Sequence, residues 1–514
     1  MDKRLCAVAA ALILGTATTA NAASRCADLM KLSLMGTTLT KGAEVPAGPI
    51  PAPPGAPPQT GQLPGHCRVE GVIGAHTGAD GKAYGVRFAL AMPGNWNGRL
   101  LYQGGGGLNG SVLPPVGATA AGDTPALARG FAVVSSDSGH EGSGFDASFL
   151  ADQQAALDFL NQSIGKVMAV ARPLLAAHYG RAAAHSYFVG CSTGGREAMI
   201  SAQRYPAEFD GIVAGAPAMR TNYSNLALAW INASLNIAAP KDAQGRYQTA
   251  KALSDSDRKL VIGTLLKTCD ALDGVQDGMI FNTRGCNFDP QQLQCQGEKT
   301  DSCLTSAQVQ AIARAFAGPR TGSGRQIYPG FAYDTGIGFR GAGIPGLLSG
   351  GTIPEAVSSA GPSLDFEALA AAAHDAREMA GDTNAWTNLS SFSGHGGKLM
   401  FFHGMSDPWF SALDTVDYYQ RLTAEKGAGP VNAWSRLFLV PGMGHCGGGE
   451  ATLDRFDMLT AIVAWVEQGQ APAQVTATGR AFPGRSRPLC PYPQHAQYKG
   501  SGDSEQAANF SCQD

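Results

Sequence analysis

Apolar and polar positions along the chain follow two rhythms. Val86 to Met92, Arg99 to Gln103, Phe131 to Ser135, His185 to Gly190 and Gly211 to Gly215 are short, dense apolar runs with strand character. Ala151 to Tyr179 and Gly194 to Tyr205 instead place apolar residues at helical spacing. The first two runs predict neighbouring strands joined by a turn at Pro93-Gly94-Asn95. Strands alternating with helices predict a mostly parallel sheet covered on both faces, an α/β fold. The rhythm stops between about residues 218 and 395, where short helical stretches, glycines and four cysteines replace it. It resumes at Lys398 to Phe402, followed by a helix over Thr415 to Lys426, a strand over Arg436 to Val440 and a helix over Thr452 to Glu467. The expected organisation is therefore an interrupted core, 23–217 and 396–514, with a lid inserted at 218–395. Pro46 to Gly65, rich in proline and glycine, is expected to be an irregular arm.

Residues 1–22 have the form of a secretory signal. Lys3 and Arg4 precede an apolar run from Leu5 to Leu14, and Ala20-Asn21-Ala22 supplies small residues for cleavage. The run is too short to span a membrane, and Arg25 before Cys26 matches a lipid-anchor site poorly, so no membrane anchor is expected. Of 514 residues, 44 % are apolar and only 15 % charged, which permits a large core and excludes wholesale disorder. A net charge of −3 offers nothing to nucleic acid. The expected destination is the periplasm or the outside of the cell.

Gly190-Cys191-Ser192-Thr193-Gly194 reads as a nucleophile elbow, since it lies between an apolar strand and a helical stretch. Gly442-Met443-Gly444-His445-Cys446 places a histidine in a glycine-rich loop. If Ser192 and His445 meet as nucleophile and base, about 3 Å apart, Cys191 and Cys446 come near bridging distance. The acid is expected after a later strand, because chains of this fold run serine, aspartate, histidine. Asp407 fits that order, whereas Asp137 follows a strand but precedes the serine. A tetrahedral intermediate needs two N–H donors. Thr193 is expected to supply one and the Gly104 to Gly107 run the other, through Gly106 or Gly107. The chemistry expected is that of a serine esterase.

Without Cys6 in the leader, ten cysteines remain, enough for five disulfides in an oxidising compartment. Proximity suggests Cys26–Cys67, Cys269–Cys286, Cys295–Cys303 and Cys490–Cys512, leaving Cys191 and Cys446 for each other. Between Cys269 and Met279, three carboxylates are interleaved with glycines. Asp270, Asp273 and Asp277 by side chain, with Val275 and Met279 by carbonyl, could wrap a hard cation such as Ca²⁺. A solvated acidic loop is the alternative on spacing alone.

These motifs together, Gly190 to Gly195, Asp270 to Met279, Asp407 and His445-Cys446, resemble the tannase and feruloyl esterase family over nearly the whole mature chain. The resemblance implies an α/β-hydrolase core, a lid bearing a structural calcium and a disulfide from the serine to the histidine loop. It implies no organic cofactor, and a small aromatic ester as substrate, with feruloyl-type esters favoured. Gallate esters or mono(2-hydroxyethyl) terephthalate are the alternatives, and a silent polyphenol- or carbohydrate-binding relative is the non-enzyme one. Phe410 resembles an aromatic that stacks on substrate in the terephthalate branch, although packing explains it equally well. Thr193 departs from that branch, which carries an acidic residue there. Arg340 is a candidate for the substrate carboxylate, and Trp386 for the pocket wall or the core.

Overall fold

The computed structural model describes residues 26–51, 61–338, 347–348, 361–374 and 379–514. The signal (1–22), Arg340 and part of the proline-rich arm lie outside the described residues.

A sheet of nine strands organises the molecule. In chain order these are β1 (Thr37–Val45), β2 (His66–Thr77), β3 (Ala83–Pro93), β4 (Arg99–Gln103), β5 (Ala132–Ser136), β6 (His185–Cys191), β7 (Gly211–Gly215), β8 (Lys398–Gly404) and β9 (Ser435–Val440). Their order across the sheet is β1-β2-β3-β5-β4-β6-β7-β8-β9. From β5 to β9 every pairing is parallel, and β1, β2, β3 and β5 pair antiparallel. Phe188 and Val189, Ile212 to Ala214 and Leu399 to Phe402 are buried. Strands covered on both faces tolerate no polar alternation, so they read as continuous apolar runs.

β3 and β4 are not the hairpin expected from sequence, because β5 lies between them, antiparallel to β3 and parallel to β4. The connection is held open for that strand. Asn97 N donates to Gly130 O at 2.9 Å and Asn97 Nδ2 to Arg129 O at 2.8 Å, just before β5 begins. β1 and β2 had no strand forecast; their polar outward positions dilute the apolar signal.

The helical stretch expected over Ala151 to Tyr179 is interrupted. A short helix at Gln153–Leu157 widens into a π-turn at Asp158–Gln162, and α1 then runs Ser163–Tyr179. Arg196 causes the widening: its guanidinium takes the carbonyls of Leu160 at 2.9 Å and Phe159 at 3.0 Å. The helix that follows Ser192, α2, is Thr193–Arg204. The last core helix spans Met458–Gln468, shorter than expected. Arg455–Phe456 pairs as a strand with Val475–Thr478, and Asp457 then caps the helix by accepting from Thr460 N at 2.8 Å. The arm is less irregular than expected, since Gly48–Pro49 pairs with Gln62–Leu63.

The segment after β7 packs α3 (Thr221–Leu235), α4 (Asp255–Cys269) and α5 (Ser306–Ala317) around their own core of Leu228, Val261, Leu265, Ile312, Phe316 and Tyr328. Capping boxes start α4 at Ser254 and α5 at Thr305. Beyond α4 the chain returns to the main core, where Met279 and Phe281 pack with Ala496 and Phe510 of the C-terminal tail.

Candidate active site

β6 ends at Cys191 and α2 begins at Thr193, which leaves Ser192 alone on the turn with φ +64° and ψ −124°. Such a backbone costs a serine on the order of 1–3 kcal/mol and persists only where the surroundings fix it. Here Ser192 N donates to Gly215 O, and its own carbonyl accepts from Arg196 N and Ala218 N, all at 3.0–3.1 Å. The flanking glycines are a contact requirement. A Cβ on Gly190 would sit 2.4 Å from Gly194 O, and one on Gly194 would sit 2.7 Å from Gly105 O.

Asp407 lies in the loop after β8, fully buried, and accepts from three donors. Oδ2 takes His445 Nδ1 at 2.7 Å, and Oδ1 takes the N–H groups of Trp409 at 2.9 Å and Phe410 at 3.1 Å. His403 Nε2, whose hydrogen goes first to Phe410 O, also approaches Oδ2 at 3.3 Å. Burial by itself would raise the carboxyl. The charge of His445 and the hydrogen bonds from His403 and His445 outweigh it and hold the group well below the usual carboxylate range. Asp407 therefore stays ionised and orients the ring through Nδ1.

The Cys191–Cys446 disulfide brings the two loops together, with Cα atoms 6.0 Å apart across 255 residues. Ser192 and His445 each adjoin one half of the bridge, and Cys446 Sγ lies 3.7 Å from His445 Nε2. No hydrogen bond joins the Ser192 hydroxyl to the ring among the described residues. Such bonds are often long before substrate binds and tighten in the complex.

The glycine run after β4 faces α2. Gly194 N donates to Gly105 O at 3.1 Å, and the Thr193 hydroxyl donates to Gly107 O. Gly105 N is committed to Glu197 Oε2 at 2.9 Å. The N–H groups of Thr193, Gly106 and Gly107 have no acceptor among the described residues, so the elbow and the glycine run each offer free donors.

The chain matches the tannase and feruloyl esterase family model over residues 67–343 and 360–513. The chain belongs to that family. It is 42 % identical to a mono(2-hydroxyethyl) terephthalate hydrolase of Piscinibacter sakaiensis, over 88 % of this chain and 85 % of the relative. The crystal structure of feruloyl esterase B from Aspergillus oryzae superposes with a TM-score of 0.77 at 25 % identity, covering 95 % of this chain and 100 % of that one. The tannin acyl hydrolase of Aspergillus niger shares the fold at 21 % identity, with a TM-score of 0.70 over 93 % of this chain and 92 % of that one. The protein is a carboxylic-ester hydrolase.

Near this esterase's elbow an open cleft lies between the core and the inserted segment, though neither Ser192 nor His445 lines it. Leu108, Phe159, Leu160 and Met219 make its walls apolar, and Ala218 ties it to Ser192. Arg220 is a cation on that wall, but Asp414 holds its guanidinium. Phe410 is buried, its ring centroid 5.2 Å from that of His445, while its carbonyl accepts from His403 Nε2 at 2.9 Å. Trp386 is 62 % exposed and lies in neither the core nor this cleft.

The acidic loop of the esterase follows α4. Asp273 is buried, and its carboxyl is pushed up to about 7 by burial first, with repulsion from Asp277 and Asp270 adding to it. The carbonyls of Val275 and Met279 accept no hydrogen bond among the described residues. The three carboxylates already accept backbone N–H groups, Asp270 from Asp277 and Gly278, Asp273 from Val275 and Phe281, and Asp277 from Met279. Their oxygens are not gathered at mutual ligand distance, so the donors suit a hard cation in chemistry, and the loop would have to draw together to hold one. Asp277 also pairs with the buried Arg487 of the C-terminal tail, which offsets part of its charge. All five disulfides expected from sequence are present.

Three polar residues around the site escaped the sequence reading. His403 is the last residue but one of an apolar strand, four residues before Asp407, and that position was its signal. Glu197 sits on the buried face of α2, a poor place for an unpaired carboxylate. Asp334, fully buried, accepts from Ser406 Oγ and Gly442 N, both at 2.7 Å, and so ties the Asp407 and His445 loops to the inserted segment. No local pattern marks Asp334.

Proposed function

We propose that Ser192 is the nucleophile, His445 the base and Asp407 the acid of an acyl-transfer site for esters of aromatic carboxylic acids. The observation that carries this reading is the short Asp407–His445 hydrogen bond, held beside the elbow by the Cys191–Cys446 bridge. His445 Nε2 takes the Ser192 proton as Oγ attacks the ester carbonyl. The oxyanion is received by the N–H of Thr193 and by that of Gly106 or Gly107. The C–O bond then breaks, His445 returns the proton to the departing alcohol, and an acyl-enzyme remains. Water, deprotonated by the same nitrogen, attacks the acyl carbon. The proton goes back to Ser192 Oγ as the acid leaves.

The inserted segment acts as a lid, and the apolar cleft receives the planar acyl group, with Phe410 the nearest ring to His445. Feruloyl-type esters are the leading substrates, in keeping with the Aspergillus structure. A second reading, terephthalate monoesters, is favoured by the 42 % identical relative. Five disulfides require an oxidising compartment, and no helix among the described residues is long and apolar enough to cross a membrane. Export by residues 1–22 to the periplasm or beyond would supply that compartment.

Turnover of methyl ferulate, methyl gallate and mono(2-hydroxyethyl) terephthalate by the mature protein tests the assignment. We expect one to be cleaved preferentially, and Ser192→Ala to reduce its kcat by about 10⁶-fold. Substantial turnover in that variant would rule out the proposed nucleophile.

In the acidic loop, Asp270, Asp273, Asp277 and the carbonyls of Val275 and Met279 would hold a calcium ion with a structural role. Chelation is expected to lower the thermal midpoint by several degrees, in line with the loss of a ligand held at 100 times its Kd, about 2.7 kcal/mol. Calcium should restore the midpoint and magnesium, which demands a tighter octahedron, should not. An unchanged midpoint in metal-free protein would remove the ion from the account.

A further inference from the structure

Glu197 lies on α2, the helix that starts at the nucleophile, and is 2 % exposed. It has no cationic partner among the described residues. A carboxylate buried without a counter-ion is costly unless donors occupy its oxygens. Three do. Oε2 accepts from Gly105 N at 2.9 Å, and Oε1 accepts from Asn109 Nδ2 at 2.9 Å and Ser138 Oγ at 2.8 Å. Gly105 and Asn109 bracket the segment that contains Gly106 and Gly107. Asn109 and Ser138 both have left-handed backbones, at φ +54° and +62°, so their side chains turn inward at some conformational cost. The packing is close enough that a Cβ on Gly105 would fall 2.1 Å from Asn109 Oδ1.

We infer that Glu197 is a positioning residue that sets the distance between the oxyanion donors and the nucleophile. One carboxylate grips both ends of the donor loop, and its backbone belongs to the helix that carries Ser192 and Thr193. Loop and elbow therefore cannot shift independently. The inference rests on the triad reading above. The ionised side chain is required because it is the only one of this length that accepts at both oxygens. In Glu197→Gln, one end becomes an NH₂ donor and must face either Gly105 N–H or the Asn109 amide. The loop is then displaced from the position where the oxyanion forms, while the cleft walls that do not belong to it, Phe159, Leu160 and Met219, keep their places.

The test compares the parent, Ser192→Ala, Glu197→Gln and the double variant Glu197→Gln/Asn109→Asp on whichever ester the parent hydrolyses. In the double variant the glutamine amide donates to the carboxylate introduced on the loop, its oxygen accepts from Gly105 N–H, and the negative charge is kept. Loss of one complete oxyanion donor costs about 10²–10³ in kcat. A displaced donor in Glu197→Gln should cost on the order of 10–100-fold in kcat, with KM within about threefold of the parent. The double variant should recover most of that loss. If Ser192→Ala is inactive but Glu197→Gln keeps kcat within about twofold, the inference fails and the triad reading stands. A loss shared by KM, or one the double variant does not relieve, marks a merely structural role and also overturns it. Should Glu197→Gln fail to fold, Ser138→Ala removes one donor alone. A several-fold fall in kcat at constant KM is then expected, and unchanged kcat overturns the inference. An active Ser192→Ala overturns the triad and this inference with it.

Discussion

Asp407→Asn is expected to reduce kcat on the order of 10⁴-fold, with little change in KM. Three donors converge on the carboxylate: His445 Nδ1 on one oxygen, and the N–H groups of Trp409 and Phe410 on the other. An amide offers one acceptor oxygen and must turn its NH₂ toward one of those two sides. If it faces the ring, His445 is left in the wrong tautomer, with its proton on Nε2, where the proposed base must be free. If it faces the backbone, the Trp409–Phe410 turn loses its anchor. Either way the ring is misdirected, and kcat measured at saturating ester reads the loss.

The same carboxylate has a pH signature in stability. Its native pKa is depressed relative to the unfolded chain. It therefore stabilises the fold above the unfolded carboxyl value of about 3.9, and that contribution is lost as pH falls toward the lower native value. In acid-unfolding curves, the difference between parent and Asp407→Asn should shrink as pH drops below about 4. A constant difference would contradict the assignment.

Replacing Cys191 and Cys446 together by alanine should impair turnover far more than fold. The bridge spans 255 residues, a loop for which the chain-entropy model gives about 5 kcal/mol, with measured values often smaller. The sheet and the four other disulfides remain, so the variant should stay folded with a lower thermal midpoint. The His445 loop has much less to hold it. Gly442, Gly444, Gly447, Gly448 and Gly449 flank His445 along the chain, and Cys446 itself is left-handed at φ +61°. Freed of the bridge, the loop samples positions away from Ser192. A misplacement of 1 Å can cost about 10²-fold, and a kcat loss of that order is expected. Activity within about twofold of the parent would mean that the Asp407 and Asp334 contacts suffice to hold the loop.

What the sequence disclosed follows from how locally each feature is encoded. Ser192, Asp407 and His445 sit at strand ends within glycine-rich turns, and both turns and strands have short-range signatures. The five disulfide pairs were readable because four close short loops and the fifth was what remained. Strand order was not readable in the same way. Ala83–Pro93 and Arg99–Gln103 are neighbours in the chain but not in the sheet, and only the Asn97 contacts to the chain before β5 explain the gap. The π-turn at Asp158–Gln162 depends on Arg196, more than thirty residues on. Glu197, His403 and Asp334 gain their meaning from partners brought in by folding, so no window of sequence contains their roles.

The spacing of the bridges also bears on how the molecule is made. Four of them join cysteines 8 to 41 residues apart, and each can close soon after its segment emerges. Cys191 must instead stay reduced while Cys269, Cys286, Cys295 and Cys303 pass it, until Cys446 arrives 255 residues later. Pairing in order of emergence would trap Cys191 with Cys269 and put the later partners out of step. Where thiols oxidise in that order, a productive yield depends on a thiol–disulfide isomerase or on slow reshuffling. A copy kept among reduced thiols would have its core but not its clamp, and its ester-cleaving centre would be completed only on meeting an oxidising environment.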